Sequence, residues 1–369
     1  MALFALWVLL AVSMVALGSS VFLLVRGVLY RHRRTAQPHT LVVCQRQNHG
    51  NGWFTLTLQR PGPLRMLPLP RFEGGQSVAL SLPGSHLRRH YSLARWSKRP
   101  FQYEVSIKPE PQGKLSQLLA AQALQGTRLQ VSRPSGQFTL RTDSPTRRQV
   151  LIAGGIGITP LLAMLDQWSR QRHRPDQELH LYWQSRHPGD WIYHDVLNAY
   201  ATTMESVRVR LLASRAEDGK ATRISVSLLQ AQLGSLDDTQ FLMCAGSQML
   251  DNLSEGLLNA GVPASHIHFE RFTSGAVPSD TGNWTLQIEG RTVPFAGHAH
   301  VLSALEDAQV PLAADCRTGT CGQCCVRVIS GQTRSLLESE FKVSAGHCLA
   351  CCTVPLSDLQ LGRPGHSTS

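Results

Sequence analysis

Seven of the nine cysteines in this 369-residue chain lie between Cys316 and Cys352, and their spacing limits what this region can fold around. Cys316, Cys321 and Cys324 follow a C-x4-C-x2-C pattern, and Cys351 comes after 26 further residues. Four thiolates at this spacing can enclose two irons, and the pattern is that of a plant-type [2Fe–2S] site. Gly319 and Gly322 lie within the loop, where the lack of a Cβ lets backbone N–H groups approach sulfide. A structural zinc site prefers paired C-x2-C knuckles, and this block lacks two such pairs. The spacing leaves the fourth ligand open among Cys348, Cys351 and Cys352. In a chain too long to need disulfide staples, such crowding reads as metal chemistry in a reducing compartment.

The opposite end of the chain is apolar. Met1 to Val25 carries no charged side chain, and Arg26, Arg31, Arg33 and Arg34 follow directly. About 20 apolar residues suffice to cross a bilayer core. A secretory signal carries its positive charge before the apolar run, and here the order is reversed. The expectation is one N-terminal transmembrane helix over 1–25 and a basic juxtamembrane linker over 26–37, with membrane lipid as a partner of the arginines. By the positive-inside tendency this is a single-pass membrane protein with cytoplasmic catalytic domains, in the inner membrane if bacterial.

Three blocks follow. Over 38–146, Trp53-Phe-Thr-Leu-Thr-Leu, Ser77-Val-Ala-Leu-Ser-Leu and Tyr103-Glu-Val-Ser-Ile-Lys alternate apolar and polar residues, which predicts an antiparallel β-barrel. Over 147–272, the apolar runs at Val150, Leu179, Val207 and Phe241 are separated by helical stretches, which predicts an α/β domain with a parallel sheet. Residues 273–283 read as a linker, and 284–369 as short strands, a helix near Ala299–Ala308 and the cysteines. With 42% hydrophobic and 17% charged residues the chain is not disordered.

Further motifs lie within these blocks. Arg89-His90-Tyr91-Ser92 sits in the barrel block, and Gly113-Lys114-Leu115-Ser116 opens a helical run. A helix N-terminus with bare N–H groups is a ready anion site. Gly154-Gly155-Ile156-Gly157-Ile158-Thr159-Pro160 joins a strand to a helix, where glycines let pyrophosphate approach closely. Cys244-Ala245-Gly246 follows the last apolar run, and Glu270-Arg271-Phe272 closes the block. Arg186, with Ser214, Arg215 and Lys220, could hold a 2′-phosphate, which leans the nucleotide towards NADPH over NADH.

Together these residues resemble a ferredoxin–NADP reductase family flavoprotein fused to a C-terminal plant-type ferredoxin. Reductase components of bacterial oxygenases and desaturases share that arrangement. Arg89–Ser92 matches the family's R-x-Y-[ST], Gly154–Pro160 its G-G-x-G-x-[TS]-P, and Cys348-Leu-Ala-Cys351 the L-A-C that carries the last cluster ligand. Ala245-Gly246 stands where the family has Gly-Pro. The resemblance implies a multidomain fold: an antiparallel β-barrel FAD domain, an α/β parallel-sheet nucleotide domain and an α+β β-grasp [2Fe–2S] ferredoxin domain. It places Arg89 on the flavin phosphate, Tyr91 against the isoalloxazine and Ser92 near its N5. Gly113, Lys114, Leu115 and Ser116 become a second phosphate turn, which favours FAD over FMN. Gly154, Gly155, Gly157, Thr159 and Pro160 take the nucleotide pyrophosphate, and Cys244 with Gly246 lies beside the nicotinamide. Tyr91, Ser92 and Cys244 are then the catalytic residues, and Cys351 joins Cys316, Cys321 and Cys324 as the metal ligands.

Electron counting orders these groups. NAD(P)H gives two electrons at once, a cluster accepts one, and a flavin can mediate between them. The partner so implied is an electron-accepting oxygenase, desaturase or hydroxylase, membrane-bound like the expected anchor, with a non-haem di-iron enzyme favoured. Direct quinone or ferric reduction is the alternative among enzymes, and a tethered zinc-binding module the alternative outside them. The 36 Lys+Arg and 25 Asp+Glu leave +11, but 280–369 carries 6 basic and 8 acidic residues, so the remainder is 30 − 17 = +13. Opposite signs on the two parts suit their association, and the phosphates account for part of the positive charge without nucleic acid.

Overall fold

Alternation along the first soluble block produces a six-stranded antiparallel sheet with order β4-β3-β6-β1-β2-β5. Its strands are β1 (His39–Asn48), β2 (Phe54–Gln59), β3 (Ser77–Ser81), β4 (Arg89–Ser92), β5 (Gln102–Ile107) and β6 (Arg128–Val131). In this computed structural model the described residues are 39–85, 87–111, 113–141, 144–171, 175–215, 221–271, 282–314, 319, 322–336, 341 and 343–362. A bridge between Leu93 and Val105 brings the β4 edge to β5, so the sheet curls towards closure. Phe54, Leu56 and Leu58 project from alternate positions of β2 into one core with Leu41, Val78, Leu80, Leu93 and Val105. Helix α1 (Lys114–Gln122) adds Leu115 and Leu119, four residues apart on one face, to the same core.

The second block is a five-stranded parallel sheet, order β11-β10-β7-β8-β9. It is built from β7 (Arg148–Gly154), β8 (Glu178–Ser185), β9 (Val207–Ala213), β10 (Thr239–Ala245) and β11 (Ile267–Arg271). Helices α2 (Ile158–Arg170), α3 (His194–Thr203), α4 (Val226–Leu233) and α5 (Ser247–Asn259) make the crossovers. Successive strand residues serve opposite faces. Leu151, Ala153, Leu242 and Cys244 pack with α2 and α3, whereas Val150, Ile152, Phe241 and Met243 pack with α4 and α5. Burial on both faces is why these strands read as continuous apolar runs. The chain winds outward from β7 in one direction through β8 and β9, then returns to β10 on the other side. The point between β7 and β10 where strand order reverses is where open α/β sheets leave a crevice for ligands.

The third block has the sheet β13-β12-β18-β14-β16, with β12 parallel to β18 and its other pairs antiparallel. These strands are β12 (Trp284–Ile288), β13 (Arg291–Phe295), β14 (Cys325–Ser330), β16 (His347–Leu349) and β18 (Leu359–Gly362), and β15 (Thr333–Ser335) pairs separately with β17 (Thr353–Pro355). Helix α6 (Val301–Asp307) lays Val301, Leu302, Ala304 and Leu305 against this sheet. The architecture is thus a barrel-like antiparallel sheet, a parallel α/β domain and a small mixed-sheet α+β domain, in the order expected.

The expected membrane placement is corrected. No helix among the described residues is long and apolar enough to cross a membrane. The longest, α2 and α5, have 13 residues each. At 1.5 Å per residue they reach about 20 Å, short of a hydrocarbon core of about 30 Å. The single-pass membrane localisation is corrected accordingly, and the lipid partner deduced from it is left without support. The apolar run 1–25 and the arginines behind it lie outside the described residues.

Candidate functional site

At the strand-order reversal, the glycine loop after β7 abuts the end of β10. A Cβ on Gly157 would lie 1.9 Å from the carbonyl oxygen of Cys244, and one on Gly154 would lie 2.6 Å from the Cβ of Ala245. Only glycine fits at either place. Gly155 adopts φ +56°, where L side chains are strained, and its carbonyl accepts from Trp183 Nε1 at 2.8 Å. Thr159 Oγ1 donates to Ile156 O at 3.1 Å and closes the turn, with Pro160 behind it in the first turn of α2. No side chain caps α2; Ile158 N donates back to Gly155 O and Ile156 O, so the glycine turn itself lies at the helix N-terminus. This cradle fits a dinucleotide pyrophosphate.

Cys244 is fully buried beneath that loop and pairs in register with Glu270, whose Oε2 lies 3.9 Å from its Sγ. Burial pushes the thiol well above its usual range, and the Glu270 carboxylate adds to the shift, so Cys244 is a neutral thiol. Gly246, next along, is the uncapped residue before α5. At the ends of the neighbouring strands β8 and β9, Ser214 N donates to Ser185 O and Arg215 N to Arg186 O, both at 2.9 Å. Arg186, Ser214 and Arg215 are thereby brought together, with both arginines exposed; Lys220 lies outside the described residues.

On the barrel, Arg89, Tyr91 and Ser92 occupy β4, paired with Leu80, Val78 and Ser77 of β3. Ser92 is buried, and burial raises the Tyr91 phenol to about 12, with nearby Arg89 opposing the shift, so Tyr91 stays neutral. In the turn before α1, Ser116 Oγ donates to Gly113 O at 3.1 Å and accepts from Glu110 N at 3.2 Å. No side chain caps α1, and its first turn has no acidic residue. Leu115 points into the barrel core. Arg89 and Lys114 converge on one place: Nη2 of Arg89 lies 4.0 Å from Glu306 and Nζ of Lys114 lies 2.5 Å from Asp307. Both cations are thereby engaged by carboxylates at the end of α6.

Cys324 and Cys351 are both buried and meet in the third block. Ala350 N donates to Cys324 O at 3.0 Å, which ties the loop end to the turn Ala350–Cys352. Cys352 shares that turn, its Sγ 3.3 Å from that of Cys351, and Cys348 pairs in register with Val326. Gly322 has φ +72°, and a Cβ there would collide with the Phe341 ring at 2.2 Å. Cys324 and Cys351 supply two of the four thiols that an iron–sulfur donor set needs, and no group of three candidate ligands occurs among the described residues. The expected ligands Cys316 and Cys321 lie outside the described residues.

The oxidoreductase NAD-binding domain family matches residues 151–255, and the 2Fe-2S iron–sulfur cluster binding domain family matches residues 285–356. The chain is thus an oxidoreductase with an NAD-binding domain and a C-terminal [2Fe–2S] cluster-binding domain. The two matching domains take a nicotinamide nucleotide and a [2Fe–2S] cluster. Among curated relatives, one component of the 1,2-phenylacetyl-CoA epoxidase of Escherichia coli (strain K12) is 29% identical, over 86% of this chain and 95% of its own. The phthalate dioxygenase reductase of Burkholderia cepacia is 27% identical, over 72% and 79%. The solved phthalate dioxygenase reductase superposes with a TM-score of 0.66 at 23% identity, covering 88% of this chain and 98% of that one. At that identity the likeness is one of fold.

Sequence reasoning missed a buried hub in the reductase. Asp166 of α2 is fully buried and accepts from Arg95 Nε at 2.7 Å, Trp96 N at 3.0 Å and the Tyr200 hydroxyl. Burial works against the Arg95 charge, but its hydrogen bond and attraction to Asp166 outweigh that and raise its pKa. Barrel and α/β domain are pinned here, and Gln167 Oε1 adds an acceptor for Gly74 N at 2.5 Å. The available signal was one carboxylate inside the run Leu161-Leu-Ala-Met-Leu-Asp166-Gln-Trp168.

Proposed function

We propose that this reductase takes electrons from NAD(P)H and delivers them through flavin and cluster to a separate oxygen-activating protein of the hydroxylase, desaturase or epoxidase class. The observation that carries the reading is the meeting of the Gly154–Gly157 loop with Cys244 at the reversal of strand order. When bound, the flavin supplies the conversion from two-electron donor to one-electron acceptor. The chain's own residues bind, orient and shield. In this reading Arg89 and Lys114 hold flavin phosphate, Tyr91 offers a flat neutral face, and the Ser92 hydroxyl orients the ring edge. The glycine loop and α2 hold the pyrophosphate. Cys244, uncharged and buried, packs beside the nicotinamide without drawing in water. Cys316, Cys321, Cys324 and Cys351 hold the cluster. Arg186 and Arg215, with Ser214 between strand end and loop, favour a nucleotide with a 2′-phosphate. An oxygen-activating acceptor is supported by the names of the relatives, one belonging to an epoxidase and one a dioxygenase reductase.

Anaerobic titration of the purified protein tests this. Flavin bands and a broad cluster shoulder should both bleach with NADPH or NADH, and a colourless zinc protein would sink the reading. For the partner, co-purification of an iron-dependent oxygenase is the expected result. Faster electron delivery to a quinone than to any such enzyme would replace it with the quinone reductase alternative.

A further inference from the structure

The [2Fe–2S] domain touches the flavin domain through charges placed at the wrong ends of their own helices. α6 closes with Glu306 and Asp307 and has no basic residue in its last turn, although a helix C-terminus favours cations. α1 opens with Lys114 and has no acidic residue in its first turn, although a helix N-terminus favours anions. The two ends meet. Lys114 Nζ lies 2.5 Å from Asp307 Oδ1, Arg89 Nη2 4.0 Å from Glu306 Oε2, and His298 Nε2 3.5 Å from Asp307 Oδ2. What is mismatched within each helix is matched between them in charge. A conflict at the local level that is resolved only by a second domain marks a contact kept for function.

We propose that Glu306 and Asp307 are positioning residues that seat the [2Fe–2S] domain on the flavin domain by pairing with Arg89 and Lys114. The proposal rests on the reading of the barrel block as the flavin domain. α6 also packs on the turn Ala350–Cys352, so one rigid helix links the seat to a cluster cysteine. The strength of the contact suits a seat that forms and releases. Lys114 and Asp307 keep 61% and 48% of their side-chain surface exposed, and ion pairs so exposed are weak and screened by salt. The acidic third block beside a strongly basic remainder adds attraction of the same sign at longer range.

Anaerobic stopped-flow mixing of the flavin- and cluster-loaded enzyme with NADH or NADPH, whichever bleaches it, reads flavin and cluster separately. In E306Q/D307N the flavin should bleach at the wild-type rate and the cluster about tenfold more slowly. Added KCl should slow the wild-type cluster step towards that of the double variant, which is itself insensitive to salt. E306D/D307E, which keeps both charges, should restore the cluster rate. As a readout independent of turnover, carbodiimide treatment of the wild-type protein should form a Lys114–Asp307 amide, identified by peptide mass spectrometry. Wild-type cluster rates in E306Q/D307N at low salt, or absence of that amide, would overturn the seat. If the wild-type protein bleaches neither chromophore with either nucleotide, the reductase reading fails instead.

Discussion

Gly157 shows how little freedom a single position can have. Its neighbour across the crevice is the Cys244 carbonyl, so even the smallest side chain must move one backbone or the other. G157A should raise the KM for the nicotinamide nucleotide by about tenfold or more, since displacements near 1 Å cost as much as a hundredfold in positioned chemistry. Flavin content should not change; steady-state kinetics beside flavin absorbance check both, and an unchanged KM would remove the loop from the nucleotide site. The cysteines pose a sharper choice, because Cys351 and Cys352 are adjacent, equally buried and 3.3 Å apart at sulfur. Cys351→Ser should abolish the cluster absorbance while Cys348→Ser and Cys352→Ser retain it. The opposite pattern would transfer the ligand role to a neighbour.

Among elements, the parallel strands do the positioning. β7 and β10 end where strand order reverses, and β8 and β9 carry Arg186 and Arg215 to one spot through backbone hydrogen bonds between their loops. An arginine pair there has a measurable signature. Arg215→Gln should lower kcat/KM for NADPH about tenfold relative to NADH, the scale expected when a charge-assisted contact to a phosphate is lost. An unchanged ratio would return both arginines to ordinary surface charge. Elements of this kind were largely legible in the sequence. Strands with one solvated face alternate, as in Phe54–Gln59, and strands buried on both faces run apolar, as in Thr239–Ala245. The short strands β6 and β11 were not legible: Arg128–Val131 has only four residues, and Ile267–Arg271 has no buried face to impose an alternation. Motif residues such as Arg89–Ser92 could be located but not arranged. Their convergence with Lys114 depends on the curl of a six-stranded sheet, which no local pattern encodes.

For the whole molecule, the informative contacts link residues far apart in the chain. Asp166 binds Arg95 and Trp96 across 71 and 70 positions, and Tyr200 across 34. Local periodicity carries no information about such partners, and the sequence offers Asp166 only as a carboxylate within an apolar run. Asp166→Ala should destabilise the protein by about 3 kcal/mol in urea unfolding, because it leaves Arg95, Trp96 N–H and Tyr200 without their shared acceptor. A loss under about 1 kcal/mol would mean that the three donors find water or other acceptors. The expected membrane placement shows the converse weakness, since it rested on 25 residues of composition and on no contact with the remaining blocks. The Asp166 hub also bears on how reductases of this build can be recombined. A chimera that joins the barrel of one to the α/β domain of another keeps both cores but severs this four-residue joint. Recombinants should therefore lose stability unless Arg95, Asp166 and Tyr200 are inherited as a set, since Trp96 contributes only its backbone N–H.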